Sequence, residues 1–297
     1  MKMLVSRVCH FSFLFNMIKL QATGLLRLNS LRPLSLFSPS LINSGKILRS
    51  YSTSRKSTNF NLDLAGLLAD LYVPPNNPPS WFTNPKQRWT ILKRNLQTLG
   101  INTYAAIKLR KDIGRDLFMP LEWKELAIIL YTRTNECFAK RDSQNLQKIT
   151  SRWVYGPLSD RMKQLSSSHE YSWKLLKLNK RPKVISMLPL ALPNEPLHYV
   201  QVVYRFDSMQ RLSKLDLKTK EIDSQDRRVV DNIAFLFDVD KNPIEGRLIG
   251  SLFETPPQAP MPDANSMASS RAEAMRAMSV RGDIFRPEPE YMTIKSE

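Results

Sequence analysis

The stretch Ser166-Ser167-Ser168-His169-Glu170-Tyr171-Ser172-Trp173-Lys174-Leu175, residues 166 to 175, is where the periodicity of the chain changes. Before it, apolar residues recur at three- and four-residue steps, which keeps one face of a helix apolar. After it they alternate with polar residues, the period of a strand with one face covered.

Upstream, Pro85 suits a first helical turn, and Trp89, Leu92, Leu96 and Leu99 carry the pattern until Gly100 stops it. A second helix is expected from Thr103 to Ile113, ending at Gly114. Trp123, Ala127, Leu130, Tyr131, Thr134 and Phe138 mark a third, entered through Pro120 with Glu122 and Glu125 in its first turns. Asp142 or Ser143 would cap a fourth that carries Leu146, Ile149 and Trp153, is bent or ended by Pro157, and continues toward Leu165.

Downstream, five strands are expected. They centre on Tyr171, Trp173 and Leu175; on Val184 to Leu192; on Val200, Val202, Tyr204 and Phe206; on Ile233, Phe235, Phe237 and Val239; and on Arg247 to Phe253. Asp216 to Arg227 and Asp240 to Pro243 read as loops. Consecutive helices followed by consecutive strands predict an α+β domain over residues 85–254, with helices packed on one side of an antiparallel sheet of four to five strands. Alternating βα units, and with them a doubly wound nucleotide fold, do not fit this order.

The amino-terminal segment has a different chemistry. No Asp or Glu occurs before Asp63, whereas nine Lys and Arg precede Asn61 among many Ser and Leu. A basic, Ser-rich, acid-free and amphipathic start is the composition of a mitochondrial transit peptide, here assigned to residues 1–51. The rival, a secretory signal with Val8 to Ile18 as its apolar region, would not continue its basic residues so far. Arg49-Ser50-Tyr51-Ser52 resembles a matrix-peptidase site, which places the mature start near Tyr51 or Ser52. Residues 52–84 follow as an extended connector, stiffened by Pro74, Pro75, Pro78 and Pro79. Residues 255–297, rich in Pro, Met, Ala and Ser, read as a flexible tail without its own core, with a short helix from Ser269 to Val280.

Of 44 Lys and Arg, 35 lie from Asn61 onward, against 27 Asp and Glu, so that part of the chain is about +8. That surplus favours phosphate backbones or anionic lipid head groups as partners. Cys9 and Cys137 are the only cysteines, too few for a disulfide framework or a multi-cysteine metal site. The longest apolar runs fall short of the roughly 20 residues that cross a bilayer. Nine glycines, none grouped after a strand, argue against a phosphate loop, and no cofactor is expected. His169 and His198 are the only mature histidines; His198, at the start of a strand, would reach a pocket between sheet and helices only if it turned inward.

Lys86, Arg88, Lys93 and Arg94, then Lys108, Arg110, Lys111 and Arg115, gather positive charge on the first two expected helices. A solvated helix face is the plain explanation; a row of phosphates or anionic lipids is the functional one, and charge alone does not separate RNA from membrane. Trp89, Trp123, Trp153 and Trp173 sit at helical or strand spacing and are expected in the core. Trp81 and Phe82 follow the connector outside any periodic stretch and read as interface anchors.

Six segments in order resemble one family: Asn102-Thr103-Tyr104; Leu130-Tyr131 with Phe138-Ala139-Lys140; Gln201-Val202-Val203-Tyr204-Arg205-Phe206-Asp207 with Gln210-Arg211-Leu212; Asp231-Asn232-Ile233-Ala234-Phe235-Leu236; Gly250-Ser251-Leu252-Phe253-Glu254; and Gly282-Asp283-Ile284-Phe285-Arg286. These look like the fungal inner-membrane mitoribosome receptors of the Mba family, over roughly Leu64 to Arg286. That family is similar to large-subunit mitoribosomal protein forty-five and to the carboxyl-terminal domain of the forty-four kilodalton import-motor subunit. The resemblance implies a strongly twisted sheet and peripheral attachment to the matrix face of the inner membrane. It further implies contact with the large subunit of the mitochondrial ribosome, both ribosomal RNA and exit-tunnel proteins, and cooperation with an Oxa-type insertase that receives nascent membrane proteins. It supplies no catalytic residues. The competing expectations are an import-motor scaffold of the same fold and a small-molecule isomerase or dehydratase using His198.

Overall fold

The computed structural model describes residues 66–67, 71–114, 120–190, 199–239, 241, 243–259 and 271–288. The expected cleavage residues Arg49, Tyr51 and Ser52, and also Arg115 and His198, lie outside them.

Helix α1 spans Pro85–Ile113, α2 Pro120–Lys140, α3 Ser143–Ile149 and α4 Arg152–Gln164; strands β1 (His169–Leu190), β2 (Tyr199–Asp216), β3 (Ile222–Asp238) and β4 (Glu245–Leu252) follow, and α5 is Arg271–Gly282. The strands form one antiparallel meander in the order β1-β2-β3-β4. The α+β class, with helices preceding the sheet, is as the sequence predicts.

Three expected boundaries are corrected. The two helices of residues 85–113 are a single helix running through Gly100. An interior glycine costs only about 1 kcal/mol relative to alanine, and it does not break hydrogen bonding as proline does. A Cβ at Gly100 would meet nothing within 4 Å. Gly100→Ala is therefore expected to raise the unfolding free energy by about 1 kcal/mol, read as a higher melting temperature; an unchanged or lower one would show that α1 is broken there in solution.

The expected fourth helix is two. Its interruption falls at Thr150 and Ser151 and not at Pro157, because these residues pair with the sheet: Thr150 bridges Leu248, and Ser151 N–H donates to the Leu248 carbonyl at 2.9 Å. Arg247 caps the end of α3 by donating to the carbonyls of Gln147 and Thr150. Pro157 lies inside α4, where it cannot donate to the Trp153 carbonyl one turn earlier. Gly282 of the tail packs against that oxygen so closely that a Cβ would collide with it.

The third correction concerns strands. Tyr171–Leu175 and Val184–Leu190 belong to one long edge strand, β1, whose pairing with β2 slips at four places. An edge strand tolerates Pro182 and such bulges because one of its sides carries no ladder. The charged segment expected as a loop is mostly strand as well, since β3 begins at Ile222 and pairs with Leu215.

The main core lies between α2, α4 and one sheet face. Trp123, Leu130 and Tyr131 of α2 and Val154 and Leu158 of α4 meet Val200, Val202, Tyr204, Phe206, Phe235 and Phe237. A second, smaller core on the opposite face joins Leu67 and Val73 to Val203, Leu236 and Ile249. Central β2 is thus buried on both sides. The described part of the tail packs on the body: Asp283 accepts two hydrogen bonds from Arg161 (2.9 and 2.7 Å), and Arg286 donates to the Ser251 carbonyl and lies over the Phe253 ring.

Candidate functional site

Helix α1 is an outrigger along the β1 edge. Ile91, Ala105 and Leu109 form its buried inner stripe. Asn102 fixes its position: the side-chain amide donates to the Ile185 carbonyl at 2.8 Å and accepts from Met187 N–H at 3.1 Å. One side chain thereby does the hydrogen bonding of a neighbouring strand, satisfying an otherwise open stretch of edge. Tyr72 donates to Asn95 at 3.2 Å, and Arg94 donates to the Ala259 carbonyl at 2.7 Å.

Arg94 is therefore turned into the protein, and the expectation that it belongs to an exposed cluster is not met. Lys86, Lys93, Lys108, Arg110 and Lys111 are exposed; Arg88 is half-buried, its guanidinium 5.7 Å from the Trp81 ring centre. Seven Lys and Arg stand in α1 against one acid, Asp112.

A second apolar stripe faces outward. Trp89 is 63% exposed and Leu96 58%, and Leu99, Tyr104 and Ile107 are as open. At 100° per residue, Trp89, Leu96 and Ile107 stand nearly above one another, with Lys93 and Lys111 on their flank. Trp89, Leu92 and Leu96 line a shallow hollow of about 370 Å³ with Lys93 and Gln97. Of the tryptophans expected in the core, Trp123 is fully buried and Trp153 and Trp173 partly so, whereas Trp89 is not. Periodicity identified the stripe correctly but assigned it the wrong side, because α1 carries two. Trp81 and Phe82, placed outside the core from sequence, are 48% and 98% exposed and lie at the entrance to the same helix. Among the described residues, no helix is long and apolar enough to cross a membrane.

Between α2 and the sheet lies a chain of partly buried hydrogen bonds centred on the buried Tyr131. Tyr131 donates to Asp231 at 2.5 Å; Gln210 donates to the Tyr131 hydroxyl at 2.6 Å and accepts from the Trp173 indole at 3.0 Å. Burial raises the Asp231 carboxyl above its ordinary value, with Tyr131 pulling it back; burial, then the negative charge of Asp231, push the Tyr131 phenol well up. Phe206 stacks on Tyr131 at 4.4 Å and Trp173 meets it edge-on. With its donors and acceptors engaged and its rings packed, the network ties α2 to the sheet.

Together the fold and this helix define an α+β protein whose distinctive feature is a surface, a cationic helix with an apolar outer face laid along a sheet edge. The chain belongs to the MBA1-like protein family, which matches residues 51–290. It is 35% identical over 280 residues, 87% of this chain and 99% of its relative, to the inner membrane mitoribosome receptor MBA1, mitochondrial, of Saccharomyces cerevisiae.

Proposed function

We propose that the protein is a peripheral receptor on the matrix face of the mitochondrial inner membrane that holds the large subunit of the mitochondrial ribosome there. In this reading its outward α1 face meets the bilayer. Nascent membrane proteins then leave the exit tunnel beside an Oxa-type insertase, and no chemical step is performed on them. The relative's name supports the ribosome as partner, and the outer face of α1 supports the membrane.

That face is the observation that carries the reading. Trp, Tyr, Leu and Ile exposed along the helix with Lys and Arg at the border are what lets a helix lie in the plane of a lipid interface. The apolar side chains enter the head-group boundary, and the long cationic ones reach back to phosphate. A monomer rarely leaves so much contiguous apolar area in water. Tethering at two surfaces raises the effective concentration of ribosome at membrane, so each contact is allowed to be weak.

Reversing two of the cations, Arg110→Glu with Lys111→Glu, is expected to weaken binding to anionic vesicles by at least about 2 kcal/mol, since each basic side chain near such a surface contributes about 1 kcal/mol. Flotation with and without anionic lipid measures this. Sedimentation of gently lysed mitochondria supplies the other half, with comigration alongside the large subunit expected. Unchanged flotation of the variant would sink the membrane assignment, and sedimentation free of ribosomes would sink the receptor reading.

A further inference from the structure

Four lysines of β1 stand three residues apart, Lys174, Lys177, Lys180 and Lys183. In a regular strand a three-residue step would throw successive side chains onto opposite faces. Here β1 slips against β2 between Leu175 and Lys177, between Leu178 and Lys180, and between Lys180 and Lys183. Each slip absorbs one residue, so the lysines oppose Arg211, Met209, Asp207 and Arg205 in turn, every second residue of β2. Directly paired residues share a face, and the whole row therefore lies on one side of the sheet. It is the side away from α2, shared with Val203 of the smaller core.

All four lysines are exposed. Of the acids on this face, Asp226 is held by Arg211 at 2.6 and 2.8 Å and Asp207 by Arg228 at 2.9 and 2.7 Å and by Asn179 at 2.8 Å, while the exposed Glu170 stands at the far end of the row, opposite Leu215 and beyond Ser172. Lys174 stands directly opposite Arg211, and Lys183 directly opposite Arg205. Like charges facing each other across a ladder destabilise a sheet; here Asp226 offsets Arg211, Glu254 lies 3.6 Å from Arg205, and Lys180 faces Asp207, so the row is accommodated by its neighbours while its lysine side chains stay exposed. Beside the row, Ser172, Ser213 and Ser224 align across three strands, with Ser224 donating to Ser213 at 2.8 Å.

We propose that this lysine row binds the phosphate backbone of RNA, which, if the receptor reading holds, is ribosomal RNA at the docking site. Two residues of β2 advance about 7 Å, so the ammonium groups are spaced regularly along an extended line, as the phosphates of a nucleic acid strand are. The hydroxyl row beside them is suited to phosphate and sugar oxygens. Lysines and bulges also protect an edge strand from pairing with other chains. Protection works with lysines on either face, however, and does not account for bulges that bring all four to one. The outer face of α1 differs by its large apolar stripe, which suits lipid and which the lysine row lacks.

The test uses protein purified from mitochondria, wild type and with all four lysines changed to Glu or, more gently, to Gln. The probes are a large-subunit ribosomal RNA transcript, purified large subunits and anionic vesicles. The Gln variant is expected to bind the transcript at least about tenfold more weakly and to lower the slope of log affinity against log salt by about 0.7–0.9 for each lysine, while floating with vesicles as wild type does. Equal affinity and slope for wild type and the Gln variant would overturn the proposal, as would a loss of subunit binding with transcript binding intact, which would make the partner a ribosomal protein. Failure of wild type to bind subunits would count against the receptor reading alone, since the transcript titration decides the lysine row independently.

Discussion

Tyr131→Ala is expected to lower the unfolding free energy by about 3–5 kcal/mol, the range for deleting a large buried aromatic side chain. The ring is 1% exposed and stacked on Phe206 at 4.4 Å. Its hydroxyl is the donor that holds Asp231 between α2 and the sheet. Tyr131→Phe separates the two effects, keeping the ring and removing the donor, and is expected to cost about 1–3 kcal/mol, the desolvation penalty of a polar group left without its partner.

The pH dependence of the Phe variant is its signature. Asp231 titrates above the ordinary carboxylate value because burial penalises its charged form. The folded protein consequently holds the proton more tightly than the unfolded chain, so stability from this group is present in acid and is lost as pH rises from the unfolded value through the folded one. Without the Tyr131 hydroxyl the folded value moves further up. The unfolded chains titrate alike and cancel, so the deficit of Tyr131→Phe relative to wild type should be widest at neutral pH and narrow as pH falls through the raised folded values of Asp231 in the two proteins, above the ordinary carboxylate range. Urea melts at neutral pH and at about pH 4 measure it, and an equal deficit at both would show that the hydroxyl does not hold a charged carboxylate.

What the sequence disclosed of this fold follows from where each period is enforced. The change near Ser166 was legible because α2 and β2 each have a face pressed into the same core, and burial imposes its period on residue choice. Trp123, Tyr131, Phe206 and Phe235 are where that reading puts them. Where burial relaxes, legibility fails. The first residues of β3, exposed from Ile222 to Arg228, carry no alternation and read as a loop. The β1 lysines follow a three-residue step that matches neither helix nor strand, because bulges convert it, and bulges leave no compositional mark there. Gly100 reads as a stop in the sequence, although a glycine lowers helix stability without cancelling it, and Asn102 pins the segment from outside.

The candidate surface on α1 was half legible. Composition located its cations and set Trp81 and Phe82 apart from the core. It did not distinguish two apolar stripes on one helix, since a helix apolar on both sides has the periodicity of a buried one. Arg94 shows the converse limit: an arginine in a basic run is indistinguishable from its neighbours until a backbone carbonyl, here that of Ala259, is found at its tip.

Changing Trp89 and Leu96 together to Gln is expected to abolish flotation with anionic vesicles while leaving the fold intact. Glutamine preserves helix propensity and net charge, so the variant isolates the apolar contribution from the electrostatic one. Burying a Trp or Leu side chain contributes about 1.5–3 kcal/mol. Losing both should therefore cost at least about 3 kcal/mol, more than a hundredfold in partitioning on the order-of-magnitude scale of about 1.4 kcal/mol per factor of ten. The folded body should scarcely notice, because both side chains are more than half exposed and exposed substitutions usually stay within about 0.5 kcal/mol. Trp89, Leu92, Leu96 and Leu99 also recur at the three- and four-residue steps that zip helices together. Sedimentation velocity must accompany flotation for this reason. A wild type that dimerises and a variant that does not, with vesicle binding equal in the two, would make this face a subunit contact and remove the membrane from the account of α1.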